Sequence, residues 1–159
     1  MNRKLYIFVA GLVLVLGASF GCVSGERPFS SVEVCLGNEK NLSLFTDLMR
    51  SIAQTEKMKF VEGSAQTQKE LESIGKTIHE VKPTGKVVNL GVEREDGMGL
   101  TAGNLGLPKY QVAIGFSEGA NSREAHEFAD RVIGKLRSRW PVEIVTSGRG
   151  AQGMKNCKG

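Results

Sequence analysis

The residues whose chemistry is easiest to state are Cys35 and Cys157. In an oxidising compartment an even pair of cysteines reads as a disulfide, here closing nearly the whole chain behind residue 34. Two free thiols are the alternative. Neither cysteine has a CxxC partner or a histidine-rich neighbourhood, so the pair does not read as a metal site. The two histidines stand apart, His79 beside Glu80 and His126 beside Glu127, and neither belongs to a motif with a nucleophile. Both read as surface histidines. Glu93, Glu95 and Asp96 cluster, with Glu93 and Glu95 on one side of an expected strand. Paired carboxylates of that kind do general acid–base work, and a solvated strand end is the plainer reading. Residues 96–108 hold Gly97, Gly99, Gly103 and Gly106. Glycine-rich loops cradle phosphates when they lead into a helix start. This one joins strand to strand and lacks the GK[ST] lysine. It reads as a flexible hairpin loop, or as a partner-contact loop whose apolar residues are Met98, Leu100, Leu105 and Leu107. No catalytic, metal-binding or cofactor-binding set emerges, and the chain is read as a non-enzyme without a cofactor.

The elements that would position these residues follow from periodicity. Residues 29–36 alternate as a half-buried strand, with Val32, Val34 and Leu36 inward and Cys35 on the polar side, within reach of a returning tail. Gly37–Asn38 turns the chain, and Asn41 is expected to cap a helix running to about residue 58 with a Leu44/Phe45/Leu48/Met49/Ile52 stripe. Residues 59–63 form a short strand. Residues 64–80 form a second helix, with Thr67 and Glu70 as its capping box. Strands are expected over 86–95 and 109–117, with the loop between them. Asn121 and Glu124 cap the strongest helix, whose apolar face runs from Ala125 to Trp140 until Pro141 stops it. Residues 142–146 are the last strand. Leaving out residues 58–83 gives strand–helix–strand–strand–helix–strand. That predicts a two-layer α+β domain over 29–147, an antiparallel sheet with helices on one face, in the split βαβ order of ferredoxin-like folds with an inserted strand–helix segment. The second parity of the strands, with Ser31, Glu33, Asn89, Gly91, Gln111, Ala113, Gly115 and Glu143, would face away from the helices. It carries small or polar residues and none of the aromatics on which RNA-binding sheets stack bases. The Gly- and Lys-rich tail, residues 148–159, is expected to cover it if Cys35 and Cys157 are bonded.

The amino terminus speaks to location. Arg3 and Lys4 precede an uncharged apolar run, residues 5–20, shorter than the ~20 residues of a membrane-spanning helix. Ala18-Ser19-Phe20-Gly21 then leads into Cys22. A small residue followed by Cys after such a run resembles the lipobox of bacterial lipoprotein precursors, with Ser19 where Leu is commonest. The resemblance covers about the first 22 residues. It implies that residues 1–21 are a signal peptide and that Cys22 receives a thioether lipid. Its new amino terminus would then be acylated, with palmitate or a similar chain, and residues 22–28 would be the linker. Two or more acyl chains give stable anchoring where one is marginal. Val23 and Ser24 follow the cysteine in place of the Asp that retains enteric lipoproteins at the inner membrane, so the resemblance implies the outer membrane, on its periplasmic side. A cleaved, unlipidated signal and an uncleaved helical anchor are the other readings.

Charge narrows the partners. The whole chain carries +4, of which Arg3 and Lys4 contribute two, and the remaining basic residues are spread rather than clustered. Nucleic-acid binding usually shows a clustered basic face, so none is expected. The partners expected are a membrane, through the lipid, and another envelope protein, which the domain would bind as an accessory or assembly factor. An immunity protein neutralising an envelope-acting toxin, and a small cell-wall or lipid hydrolase, are the alternatives.

Overall fold

The computed structural model describes residues 28–77, 85–146 and 150–157. Residues 1–21, expected above to be a signal peptide, Cys22 and His79 lie outside the described residues. Six strands and three helices follow one another: β1 (Ser30–Cys35), α1 (Glu39–Thr55), β2 (Lys59–Glu62), α2 (Ser64–Thr77), β3 (Asn89–Glu93), β4 (Gly99–Gly103), β5 (Gln111–Ser117), α3 (Ser122–Arg137) and β6 (Val142–Ile144). The strands form one open sheet in the order β2-β3-β4-β5-β1-β6, every neighbouring pair antiparallel. The fold is α+β, as the alternation and the helical stripes imply.

One parity of the strands makes the core. Val32 and Val34 of β1, Val112, Ile114 and Phe116 of β5, and Leu90 and Val92 of β3 are buried against α1 and α3. From α1 come Phe45, Met49 and Ile52; from α3 come Phe128, Val132 and Leu136. Aromatic packing joins the layers, with Phe116 edge-on to Phe128 at 6.3 Å and Phe45 tilted against Trp140 at 6.1 Å. Arg131 of α3 ties to Glu56 at the end of α1 through two bonds of 2.8 and 3.1 Å. α2 stands further out, touching β3, and Ile74 on it is exposed.

Local signals set the helix starts, not always at the residues expected. Asn121 caps α3 by accepting the Glu124 N–H at 3.2 Å, as its sequence predicts. α1 is capped by Asn38, not Asn41. Gly37, at φ 74°, turns the chain out of β1 and leaves Asn38 extended, so its side chain accepts the Asn41 N–H at 3.0 Å. Asn41 is the capped residue, and its own amide reaches back to the Leu36 carbonyl. The Thr67/Glu70 capping box does not form either. Thr67 N–H already bonds the Gly63 carbonyl as an interior helical residue, and its hydroxyl accepts from Asn89.

The largest departure is the stretch between β3 and β5. The expected long loop, residues 96–108, contains a strand. Asp96–Gly97 closes a tight turn over residues 94–98, with Gly97 at φ 89°, and the chain returns along β3 as β4. Leu100 and Ala102 point into the core while Gly99, Thr101 and Gly103 take the other face. At Gly99 a Cβ would collide with the Val92 carbonyl oxygen, so only glycine lets the two strands pair there. The expected strands 86–95 and 109–117 are trimmed accordingly. The first ends at the turn. The second begins at Gln111, because Tyr110 has φ 63° and the Gln111 N–H closes a turn onto the Pro108 carbonyl.

Candidate binding surface on the open face of the sheet

The parity opposite the core brings the expected face residues together. Ser31 lies beside Gly115, Glu33 between Ala113 and Glu143, Cys35 beside Gln111, and Asn89 and Gly91 beside Gly103 and Thr101. Thr101 and Gly103 belong to β4, so they were absent from the expected set. Pro28 lies against Gly115, where a Cβ would sit 3.2 Å from its ring.

One end of this face is covered. Residues 150–157 run back over β1 and β5, and Cys157 is disulfide-bonded to Cys35, 122 residues away in sequence, with the Cα atoms 5.4 Å apart. The strap is also read by two side chains. Glu33 accepts the Gln152 N–H at 2.6 Å and the Gly153 N–H at 3.1 Å on the same oxygen. Gln111 accepts the Met154 N–H at 2.6 Å and donates to the Met154 carbonyl at 3.4 Å. Burial of a carboxylate is costly unless donors meet it, and the strap's amides are those donors. Its neighbour across the ladder, Glu143, stays exposed to water. The Met154 side chain is buried, and Gly153 packs against Pro108. Met154 is the site residue that sequence reasoning missed. Glu33 and Gln111, two long polar side chains among small ones at the Cys35 end of the face, were the signal for it.

The rest of the face is a groove of about 920 Å³. Its floor is Ser31, Thr101, Gly103, Ala113 and Gly115, and its walls are Leu105 on one side and Gly150 and Ala151 of the strap on the other. None of its described lining residues carries a charge, in a chain that is 24% charged. A second groove of about 610 Å³ separates α1 from α2, lined by Leu42, Thr46 and Val87 with Asp47, Glu62 and Glu72 at its edge.

The remaining sequence candidates fall elsewhere. Met98 and Leu100 are core residues, so they are not available as a partner-contact loop; Leu105 is exposed and Leu107 half-buried. Gly97, Gly99 and Gly103 lie in a turn and a strand rather than before a helix, which removes the phosphate-cradle geometry. Asn104 clamps the chain after β4 by accepting the Val88 N–H and donating to the Lys86 carbonyl. The carboxylates are dispersed among cations. Glu93 pairs with Lys59 at 3.1 Å. Asp96 and Glu124 share Arg94, whose guanidinium holds both carboxyls below their usual range, Asp96 most strongly. These three fasten the β3–β4 turn to the start of α3. His126 is exposed, with its ring 4.4 Å from that of Phe29 and its Nε2 3.8 Å from Glu118. Among the described residues no cluster of His, Cys, Asp and Glu is placed to hold a metal ion, and no helix is long and apolar enough to cross a membrane. Comparison of the chain with protein-family models, with curated proteins and with solved structures returns no match.

Proposed function

We propose that this chain is a bacterial envelope lipoprotein, anchored at the outer membrane through Cys22, whose domain binds another envelope protein as an accessory or assembly factor. The observation that carries the reading is the amino-terminal series Arg3–Lys4, apolar run, Gly21–Cys22. The Cys35–Cys157 disulfide supports it, because such bonds persist in oxidising compartments such as the periplasm. The groove on the open sheet face supports a binding role, since its described lining residues offer shape and an uncharged floor. For the fold we propose a ferredoxin-like core. Setting β2, α2 and β3 aside leaves β1–α1–β4–β5–α3–β6, the split βαβ order, with the inserted segment extending the sheet beyond β4.

The test is the intact mass of the protein extracted from bacterial membranes, before and after reduction. A chain beginning at Cys22 with diacylglycerol and acyl additions, gaining two hydrogens on reduction, is the expected result. A chain without lipid, or one retaining residues 1–21, would overturn the anchor. For the binding role, in-cell crosslinking is compared between the native chain and Ala113→Arg, which puts a long charged side chain into the groove. The adduct formed by the native chain should be lost in the variant. An unchanged adduct pattern removes the groove from the reading.

A further inference from the structure

The seat of the strap holds residues 150–157 of the same chain, mainly through main-chain groups and one buried side chain. Its four hydrogen bonds all go to main-chain groups of residues 152–154. The side chains that make them are more than nine-tenths buried, Glu33 at 5% and Gln111 at 1% exposure. Two features select sequence. One is the space filled by Met154, itself 6% exposed. The other is Gly153, at φ 83°, where a Cβ would stand 2.8 Å from the Pro108 ring. Cys35 lies at the end of this seat, positioned for a cysteine three residues beyond the methionine. We propose that the seat is an interchain docking site, and that its second occupant is the tail of another copy of this chain, residues 150–157, captured by a Cys35–Cys157 disulfide between copies. A second copy supplies Gly153, Met154 and Cys157 at the spacing the seat requires. This rests on the strap alone and is independent of the lipid anchor. A tethered tail has an effective concentration near the millimolar range, so exchange competes where the chain is crowded or where its own strap is loosened.

The capture chemistry is thiol–disulfide exchange with oxidised glutathione as the oxidant. Cys157 on a free tail attacks oxidised glutathione, forming a mixed disulfide and releasing one glutathione thiolate. Docking brings that mixed disulfide to Cys35 of the second copy. The Cys35 thiolate attacks the Cys157 sulfur, the bond to glutathione breaks, and a second glutathione thiolate leaves. Each cysteine's thiol proton goes to water.

The experiment uses two full-length chains, each with one thiol: a donor carrying Cys22→Ser and Cys35→Ser, and an acceptor carrying Cys22→Ser and Cys157→Ser. They are mixed in equal amounts in a glutathione redox buffer, and the dimers are resolved without reductant. Random pairing makes heterodimer equal to the two homodimers together; docking makes it exceed them severalfold. Met154→Ala on the donor should lower the heterodimer yield about fivefold: one largely buried apolar side chain is worth about tenfold, offset about twofold because the same change frees the donor's tail from its own seat. The same change on the acceptor should raise it, because it loosens the acceptor's own competing strap. A folding defect would lower the yield on either chain, so the opposite responses separate docking from damage. A random dimer ratio, or a response to Met154→Ala that is absent or has the same sign on both chains, would overturn the proposal.

Discussion

Replacing Cys157 by Ser leaves every strand and helix in place and removes one covalent bond, so its effect is calculable in two parts. The first concerns the unfolded chain. With a sequence separation of 122, the loop-entropy relation gives about 5 kcal/mol at 25 °C, and measured losses run at about 2–5 kcal/mol. With a urea slope of about 1.5–2 kcal/mol per molar, the full 5 kcal/mol lowers the unfolding midpoint by about 2.5–3.3 M. The second part concerns the strap itself. Burying Met154 contributes about 2 kcal/mol and four hydrogen bonds about 1 kcal/mol each. Ordering residues 150–157 costs about 1 kcal/mol per residue, or about 8 kcal/mol in all. These nearly cancel, so without the disulfide the strap sits at the edge of release while the sheet stays folded. Urea unfolding followed by the fluorescence of Trp140, buried against Phe45, reads the first part. Trypsin cleavage after Lys155 at native conditions reads the second, and should be rapid in the variant and slow in the native chain. A midpoint shift below about 0.5 M would refute the entropic argument. Equal cleavage of both proteins would refute the account of the strap.

Three further outcomes follow from the same structure. Glu33→Ala with the disulfide intact should speed amide exchange at Gln152 and Gly153 more than tenfold, because both N–H groups lose their acceptor; unchanged rates would remove the carboxylate from the strap's seat. Gly99→Ala should destabilise the domain by about 2 kcal/mol or more, since the methyl group meets the Val92 carbonyl oxygen in the backbone of the paired strand; a thermal midpoint within about 1 °C of native would contradict this. Arg131 holds the Glu56 carboxyl below its usual range by hydrogen bonding, against the opposing effect of burial. A lowered carboxyl adds stability above its unfolded pKa and loses it as pH falls through the folded value. Glu56→Gln should therefore cost about 0.5–1 kcal/mol at pH 7 and lose less on acidification below about pH 4.5, as read by urea midpoints across pH 3–7.

How much was legible in the sequence depended on whether a residue's role was set by its neighbours or by distant chain. α3 was readable because Asn121 and Glu124 cap it locally and its apolar stripe repeats without interruption. The alternation of β1 and β5 was readable for the same reason, and it correctly put Cys35 on the face that the tail reaches. β4 was hidden because its outward residues are Gly99, Thr101 and Gly103, which read as loop although the pairing with β3 demands glycine at 99. The Asp96–Gly97 turn followed by Leu100 and Ala102 was the available clue. Asn38 was read as a turn residue and Asn41 as the cap, and the cap fell to Asn38 because of where Gly37 ends β1. Met154 could not be found by periodicity at all. It is buried by a segment with no repeating structure, held by Glu33 and Gln111 from strands more than forty residues away.

The strap also decides how the molecule bears load. The bond between Cys35 and Cys157 closes residues 35–157 into a ring that holds β2 to β6 and the three helices, while residues 28–34, with most of β1, lie outside it. Tension applied between the two ends would pass from β1 directly across the sulfur bridge to the tail. The ring between them, with β2 to β6 and α1 to α3, would carry none of it. A pull could lengthen the domain only by stripping residues 28–34 from β5 and β6, between which they are clamped along both edges. A body held at one end and tugged at the other would thus yield at β1, whose Val32 and Val34 are core residues, and its lengthening would stop at the sulfur bridge.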